Sequence, residues 1–360
     1  MTYGMAEPFA PLPLYAGHKP AAAAPPPARP AAHPTVTSRR TYAALDLGTN
    51  NCRLLIARPA TTGFVVVDAF SRIVRLGEGL AATGKLSDAA MDRALAALSI
   101  CSDKLRRRHV HIARSVATEA CRQAVNGSDF VERVRRETGI ALGVISAEEE
   151  ARLAVLGCHV LLEPGNGPAL VFDIGGGSTE LVLIDASGPL PVVLDWYSAP
   201  WGVVSLTESE PCDAPDRDDR IAAYARMRAR VRDSFANFAP RLPAFCSEAG
   251  PGRLLGTSGT VTTLASLHLG LSSYDRSAVD GLVVPAEAMR AISARLSALS
   301  PAERISLPCI GNERADLVVA GCAILDEILA IWPAHRLGVA DRGIREGILR
   351  SLMSCDGTAK

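Results

Sequence analysis

The chain has 360 residues, of which 48% are hydrophobic and only 5% aromatic, enough for two domains with full cores in a soluble α/β protein. Lysine plus arginine and aspartate plus glutamate both number 38, so no overall charge favours nucleic acid or an acidic membrane as a partner. Nine cysteines without a C-x-x-C pair argue against a zinc site or a disulfide framework. No apolar stretch approaches about 18 residues and no signal-peptide pattern begins the chain, so we expect a cytoplasmic protein.

The N-terminal segment 1–40 differs in composition from the rest of the chain. It holds nine of the 24 prolines and the run AAAAPPPARPAAHP. Such a segment cannot bury enough apolar surface to offset the entropy lost on ordering. We therefore predict a disordered Pro/Ala-rich tail over 1–40, for which we infer no function, and a folded part that begins at Thr41.

A hairpin opens the folded part. Two β-prone runs flank a glycine turn in 43–57, AALDLGTNNCRLLIA, and a third apolar run at 64–69 continues the predicted sheet. The glycine-rich segment 72–85 is expected to cross the mouth of a cleft. Apolar residues then recur at helical spacing behind Ser87, which predicts a helix over 87–107 with Ser87 as its N-cap.

A strand and a helix follow. The alternation over 109–116 predicts a strand that carries His109 and His111 on one face. A metal pair would need further ligands that the sequence does not place nearby, so we interpret both histidines as surface or core residues. The stretch ATEACRQAVNG, 117–127, predicts a helix that its final Asn-Gly pair ends.

An acidic helix start comes after a predicted strand at 140–145. In SAEEEARLAVLG, Ser146 and Glu149 have the spacing of a capping box, which gives Glu149 a structural role. Glu150 is then free, and the helix dipole favours its charged form, which a general base for water requires. The simpler alternative is a surface glutamate in an acidic first turn.

The stretch 170–184, LVFDIGGGSTELVLI, predicts a second hairpin with a chemically active tip. Its three glycines, 175–177, permit several backbone N–H groups to point into one concavity and accept a phosphate. Asp173 and Glu180 flank that concavity and would repel a bare phosphate, which suggests that a divalent cation mediates. The alternative, a flexible GGGS linker, does not fit a position between two apolar strands.

The two hairpins align with each other at a constant offset along the chain. The aligned pairs are Asp46 with Asp173, Gly48 with Gly175, Asn51 with Ser178, Arg53 with Glu180, and Leu54 with Leu181. A repeated strand-turn-strand unit implies two similar domains that face a shared cleft. We predict these domains over 41–166 and 167–339, with a C-terminal helix at about 340–355 that is able to pack back on the first.

The remaining patterns complete the second domain. They predict a strand at 191–196, a glycine turn at 200–210, a charged solvent-facing helix within 214–240, a strand and helix start at 254–267, a helix at 313–331 and a closing strand-turn-helix. In 254–267, LLGTSGTVTTLASL, the turn at Gly256 and Gly259 leaves free N–H groups at a helix N-terminus. That arrangement suits an anion, although alone it is a weak signal.

With these motifs in order, the chain resembles the exopolyphosphatase / guanosine pentaphosphate phosphohydrolase (Ppx/GppA) family. The resemblance runs from about residue 42 to residue 352 and rests on ALDLGTNNCRLLIA, ATEACRQAVNG, ISAEEEARL, VFDIGGGSTELVL, WGVVSLTE, GTSGTVTTLA, RADLVVAGCAILDEIL and VADRGIREGIL. It implies two duplicated RNase H-like domains of the acetate kinase, sugar kinase, Hsp70 and actin superfold, with an interdomain cleft. The chain resembles the short, two-domain form, without the C-terminal helical domains of longer members.

The resemblance also implies roles for individual residues. Glu150 resembles the base that activates the attacking water. Asp173 and Glu180 resemble magnesium ligands, with Asp46 joining them across the cleft. The residues expected to hold phosphate oxygens are Gly48, Thr49, Asn51, Arg53, Arg122, Gly175, Gly176, Gly177 and Ser178.

The implied activity is magnesium-dependent release of terminal phosphate from inorganic polyphosphate. Guanosine pentaphosphate as substrate, a non-catalytic regulator that binds polyphosphate or an alarmone, and a kinase of the same superfold are the alternatives. The intact Glu150 argues against the regulator, and no phosphoryl-acceptor site is visible for a kinase. Because family members commonly pair, a homodimer also stays open.

Overall fold

The computed structural model describes residues 40–165, 167–188, 190–245 and 252–356. The predicted tail at 1–40 therefore lies, except for Arg40, outside the described residues. Within these ranges no helix is long and apolar enough to cross a membrane.

The first sheet, as far as the chain is described, has five strands in the order β3-β2-β1-β4-β5. Its strands are β1 Tyr42–Leu47, β2 Asn51–Pro59, β3 Phe64–Ile73, β4 Ile112–Ala117 and β5 Leu142–Val144. The first three form an antiparallel meander, and β4 runs parallel to β1 and to β5. The helices of this half are α1 Leu80–Thr83, α2 Asp88–Arg107, α3 Glu119–Gln123, α4 Gly127–Thr138 and α5 Ala147–Cys158, followed by a 3₁₀ turn at His159–Leu161.

The second sheet has six described strands in the order β10-β11-β9-β6-β7-β8. They are β6 Pro168–Ile174, β7 Thr179–Asp185, β8 Val192–Ala199, β9 Arg253–Thr257, β10 Val283–Pro285 and β11 Arg336–Ala340. The helices of this half are α6 Val203–Ser209, α7 Arg217–Phe235, α8 Gly259–His268, α9 Arg276–Val279, α10 Ala286–Ala298, α11 Pro301–Ser306, α12 Val318–Ile331 and α13 Ile344–Cys355, with a 3₁₀ segment at Ala239–Phe245.

The two sheets begin with the same three-stranded meander. Asp46 lies opposite Arg53 in the first, and Asp173 lies opposite Glu180 in the second. A β-bulge follows Ile56 against β3, and a β-bulge follows Leu183, the residue that aligns with Ile56, against β8. The predicted duplication is therefore confirmed, and it extends through a third strand that the hairpin alignment did not include.

Helices α5 and α13 lie between the two sheets. The apolar face of α5 packs on the second sheet, where Val155 and Val171 belong to one buried cluster. The apolar face of α13 packs on the first sheet through Leu349. The two helices cross closely through glycines, so that a Cβ on Gly347 would lie 2.0 Å from the carbonyl oxygen of Leu153. This crossing fixes the start of α5 at the point where the sheets converge.

Four predicted elements differ in the structure, and one of them is the helix predicted over 313–331, which begins only at Val318. Strand β4 begins only after the two histidines, and His109 has φ 49°, so they do not share a strand face. The helix predicted over 117–127 ends at Gln123, and Gly127 instead opens α4. The glycine turn expected at 200–210 is mostly the helix α6.

Candidate active site

A cleft of about 960 Å³, open to solvent, lies where the two hairpin turns meet. Most of the predicted site residues line it: Asp46, Gly48, Thr49, Asn51, Arg53, Glu150, Asp173, Gly175, Gly176, Gly177 and Ser178. Arg122 and Glu180 are not on its surface, but each contacts a residue that is. The structure therefore brings together side chains from both repeats, which are distant from each other in the chain.

The two glycine turns are closed by equivalent backbone hydrogen bonds. The Gly48 N–H donates to the Asn51 carbonyl at 2.9 Å, and the Gly175 N–H donates to the Ser178 carbonyl at the same distance. The turns also touch, because a Cβ on Gly176 would lie 2.9 Å from the Cβ of Thr49. Any side chain at position 176 would force the two hairpins apart.

Helix α6 orients the second turn. The N–H of Val203 donates to the Gly175 carbonyl at 2.9 Å, and the N–H of Val204 donates to the Gly176 carbonyl at 2.8 Å. These bonds satisfy helix-start donors that would otherwise lack partners, and they hold the turn's carbonyls towards α6.

Backbone donors are free on the cleft side. In the described part of the chain, the N–H groups of Thr49, Asn50, Gly176 and Gly177 donate to no acceptor. All four residues line the cleft. Two opposed groups of amides are therefore available to an anion such as a phosphate.

Glu150 lies in the first turn of α5 and is only 8% exposed. Both terminal nitrogens of Arg122 lie 3.2 Å from its Oε2, and Arg122 also binds Glu119. Burial is the largest cause that raises the pKa of Glu150 well above its usual value, and the neighbouring Glu180 adds to it, whereas Arg122 opposes it. Glu150 is thus a buried carboxyl with a strong affinity for a proton.

The cap of α5 differs in part from the prediction. Ser146 Oγ accepts from the Glu149 N–H at 3.1 Å, as expected of an N-cap. The Glu149 carboxylate does not return to Ser146 but binds Arg114. The capping-box interpretation is therefore wrong in its second half, because a tertiary ion pair with β4 attracts the side chain.

Three further acids surround Glu150. Burial and the adjacent Glu180 raise the pKa of Asp173 to about 8, and burial raises the pKa of Glu180 to about 7. Burial also raises the pKa of Asp46, although Arg53 and Arg345 oppose this. Glu180 lies behind the cleft surface, where its Oε1 accepts from Ser178 Oγ at 2.7 Å and from Ser198 Oγ at 3.0 Å.

The acids fit a cation only in combination with a ligand. Across the described residues, no three side chains of His, Cys, Asp or Glu are gathered closely enough to hold a metal ion. The buried Asp46 Oδ1, however, has no hydrogen-bond partner, and carboxylate oxygens are the donors that Mg²⁺ prefers. Magnesium commonly binds through one or two carboxylates plus substrate phosphates, and the donors present suit that mode.

Several cleft residues were not predicted as site residues. They are Asn50, Thr118, Glu119, Ser258, Gly259, Thr260, Thr263 and Arg314, together with apolar neighbours. The start of α8 had a sequence signal in its glycine turn, and here Ser258 Oγ accepts from the Val261 N–H at 3.2 Å. Arg314 had no such signal, and it reaches the cleft by donating to Thr263 Oγ1 at 2.9 Å.

The fold and the site define a class of protein: duplicated RNase H-like domains, α/β throughout, with an acidic cleft flanked by amide-lined turns. The model of the Ppx/GppA phosphatase family matches residues 55–355, and the chain belongs to that family.

Individual relatives support this membership. The chain is 34% identical to exopolyphosphatase 2 of Mycobacterium tuberculosis over 86% of this chain and 98% of that protein. The crystal structure of the Aquifex aeolicus member of the Ppx/GppA family is 29% identical, with a TM-score of 0.71 over 88% of this chain and 98% of that one. An exopolyphosphatase structure from Cytophaga hutchinsonii, 23% identical, has a TM-score of 0.76 over 89% of this chain and 100% of that one, which shows the shared fold. The chain is accordingly a phosphatase-family hydrolase.

Proposed function

We propose that the protein hydrolyses the terminal phosphoanhydride bond of inorganic polyphosphate in the cytoplasm, with magnesium, and releases phosphate. One observation carries this proposal: a buried glutamate, Glu150, opens onto a cleft that offers amide donors on two sides and carboxylates between them. Relatives named as exopolyphosphatases support the choice of substrate.

Glu150 is the proposed general base. A carboxyl with a raised pKa is a better proton acceptor near neutral pH, once deprotonated, than an ordinary surface glutamate. It takes a proton from water, and the water oxygen attacks the terminal phosphorus. The bond from that phosphorus to the bridging oxygen breaks, and the shortened polyphosphate leaves with the electron pair. Arg122 holds the Glu150 carboxylate by its two 3.2 Å contacts and so fixes its orientation. Deprotonation of the base predicts a rate that rises with pH through its pKa.

The glycine turns are the proposed phosphate-binding groups. The free amides of the first turn and of the second turn, with Ser178 and Arg53, neutralise the negative charge that spreads over the phosphoryl oxygens. This transfer needs little covalent help from the protein, mainly position and charge. Asp46, Asp173 and Glu180 would hold magnesium, which supplies positive charge against the phosphate oxygens.

Phosphate release from short and long polyphosphate tests the proposal. We expect Glu150→Gln to lose about 10²- to 10⁴-fold in kcat while the fold is retained, because a general base contributes that much. Glu149→Gln is the matched control, since the neighbouring carboxylate faces Arg114 on the outside of α5. Full activity in Glu150→Gln would refute the assignment of the base.

Guanosine pentaphosphate is a second candidate substrate, and one feature favours it. A side pocket of about 610 Å³ shares Thr49, Glu119 and Gly177 with the cleft and has Trp201 in its wall. An aromatic surface beside a phosphate track suits a nucleobase. Trp201→Ala should then raise KM for the nucleotide and leave KM for polyphosphate nearly unchanged. An equal effect on both substrates would contradict a nucleobase in this pocket.

A further inference from the structure

A second, smaller pocket adjoins the cleft. It has a volume of about 380 Å³. The residues it shares with the cleft are Asp46, Arg53, Asp173, Ser258 and Ile344. Its other walls are Thr257 at the end of β9, the turn 341–343 between β11 and α13, and Arg345 in the first turn of α13. The proposed position of the attacked phosphoryl group is therefore adjacent to this pocket.

Two arginine side chains in this pocket, Arg53 and Arg345, have no direct partner among the described residues. Neither guanidinium group donates a hydrogen bond or forms a salt bridge there. The nearby Arg342 differs, because its Nε donates to Asp280 Oδ2 at 2.7 Å. Arg53 and Arg345 also repel each other, since burial first and then Arg53 lower the pKa of Arg345.

The acids in or beside this pocket have other partners or proposed roles. Asp341 pairs with Arg276 at 3.2 Å, and Asp46 and Asp173 are proposed magnesium ligands. Asp46 attracts both guanidinium groups, and a magnesium ion at Asp46 would compete for that carboxylate. Glu346 also attracts Arg345, but its two oxygens already accept from Arg276 and from the Gly343 N–H. Arginine forks match the geometry of phosphate oxygens and bind them through paired hydrogen bonds. The pocket lining holds three aspartates and three arginines, so its formal charge is balanced, and the free guanidinium donors of Arg53 and Arg345 are what suit it to a small oxyanion.

We propose that this pocket binds the orthophosphate product while the shortened polyphosphate stays in the cleft. Arg345, which lines this pocket and not the cleft, holds the product, and Arg53, which lines both, has enough donors to contact the product and the substrate together. The inference rests on the proposed function for the source of the phosphate. The two products differ in size. The cleft, which is the larger cavity, suits the shortened polyphosphate chain, and the smaller pocket suits a single phosphate ion. Because five residues line both cavities, the pocket lies directly beside the place where phosphate is proposed to be released.

Calorimetric titration with inorganic phosphate tests the pocket directly. The protein is the Glu150→Gln variant, saturated with magnesium and tripolyphosphate so that the cleft is filled and hydrolysis is slow. We expect phosphate still to bind, with one ion per chain. Phosphate that binds only when tripolyphosphate is absent, or does not bind at all, would overturn the proposal.

Variants of Arg345, made in the Glu150→Gln protein, distinguish two roles for this arginine: direct binding of phosphate, and balance of the charge of Asp46. Arg345→Met should weaken phosphate binding by about tenfold or more, because it removes charge-assisted hydrogen bonds. Arg345→Lys keeps the charge facing Asp46 but loses the fork, so it should recover binding only in part. Full recovery with lysine would overturn bidentate recognition and leave Arg345 as a counter-charge for Asp46. Arg336→Gln, an exposed arginine paired with Glu163, is the matched control and should bind phosphate normally.

Steady-state kinetics extend the test to turnover. Phosphate should inhibit polyphosphate hydrolysis non-competitively in the wild type, and Arg345→Met should relieve that inhibition. Strictly competitive inhibition would overturn the separate pocket. Because the titration does not depend on turnover, a protein that binds phosphate in this way but does not hydrolyse polyphosphate would refute the proposed function and leave the pocket standing.

Discussion

The two hairpins share a backbone and differ in charge. In the first, Asp46 lies opposite Arg53, so an acid faces a base across the strands. In the second, Asp173 lies opposite Glu180, so two acids face each other, and the pKa of each is raised. Directly opposed side chains lie on one face of the sheet, where like charges destabilise and unlike charges stabilise the pair.

This difference shows how two copies of one structural unit can have different roles on the two sides of a phosphoryl-transfer site. The same turn offers amides in both hairpins, but the partner across the strand decides whether the site attracts an anion or a cation. In the first hairpin the opposed charges attract each other. The second hairpin stores repulsion that a bound cation would relieve, and substitutions at equivalent positions of the two repeats test that interpretation.

The largest effect is expected at the equivalent acids, Asp173 and Asp46. Asp173→Asn should lower kcat by at least about 100-fold, because it removes a proposed metal ligand and outer-shell groups alone are worth about 10- to 100-fold. In metal-free buffer it should nevertheless raise the free energy of unfolding by about 1–3 kcal/mol, since it removes a buried carboxylate and, with it, the repulsion from Glu180. Denaturant unfolding with a chelator present measures this.

Asp46→Asn supplies the contrast. It should also lower kcat, but in metal-free buffer it should raise the free energy of unfolding clearly less than Asp173→Asn does, because Arg53 and Arg345 oppose the effect of burial at Asp46, whereas Glu180 adds to it at Asp173. If Asp46→Asn stabilises the protein as much as Asp173→Asn does, the electrostatic difference between the hairpins is not what the geometry indicates.

A smaller effect is expected at the first glycine of each turn. A Cβ on Gly175 would lie 2.9 Å from the Ser178 carbonyl oxygen, whereas a Cβ on Gly48 would lie 3.6 Å from the Asn51 carbonyl oxygen. Gly175→Ala should therefore cost about 1–3 kcal/mol of stability, as overpacking does, and Gly48→Ala less than about 1 kcal/mol. Thermal unfolding of the two variants measures both costs. Equal losses of stability would contradict the difference in turn packing.

The smallest effect is expected in the third strand. Asp68 accepts from Lys104 Nζ and Arg108 Nε, each at 2.8 Å, and the equivalent Asp195 faces Arg241 at 3.2 Å. The hydrogen bond from Lys104 is the main cause that lowers the pKa of Asp68. The ionised Asp68 carboxylate therefore contributes its full stability above the pKa of the unfolded chain, about 3.9. That contribution is lost as the pH falls through the lower pKa of the folded protein.

Asp68→Asn should consequently cost less than about 1 kcal/mol at pH 7 and nothing below the folded pKa. Asp195→Asn, with one arginine instead of two cations, should cost less still. Urea unfolding of both variants between pH 7 and pH 3 provides the measurement. A stability difference for Asp68→Asn that grows towards low pH would have the wrong sign.

Local patterns in the sequence were sufficient for much of the fold. Alternating apolar runs around glycines predicted both hairpins, and Ser87 Oγ does cap α2, accepting from the Ala90 N–H at 3.3 Å. Helix α6 was missed because its start is stabilised by the carbonyls of Gly175 and Gly176, which belong to the preceding hairpin and are separated from α6 by the whole of β7 and β8. No local pattern records such a tertiary cap.

The candidate site also contains residues that local sequence predicts and residues that it does not. The residues in the glycine turns follow from composition and spacing, and Glu150 follows from its place in a helix start. Arg314 and Arg345 could not be predicted, because they enter the site beside α12 and from α13, whose positions depend on tertiary packing. The assigned roles and the domain boundaries stay predictions, and the variants above are designed to test the roles.

The bonds from α6 to the second turn have a thermodynamic consequence. Each peptide unit is planar, so a carbonyl held towards α6 directs the N–H of the following residue the opposite way. The carbonyls of Gly175 and Gly176 are held in this manner, which orients the amides of Gly176 and Gly177 before any ligand arrives. Glycine loses more backbone entropy on ordering than any other residue. That entropy is lost on folding of the chain, so it need not be lost again on each binding event.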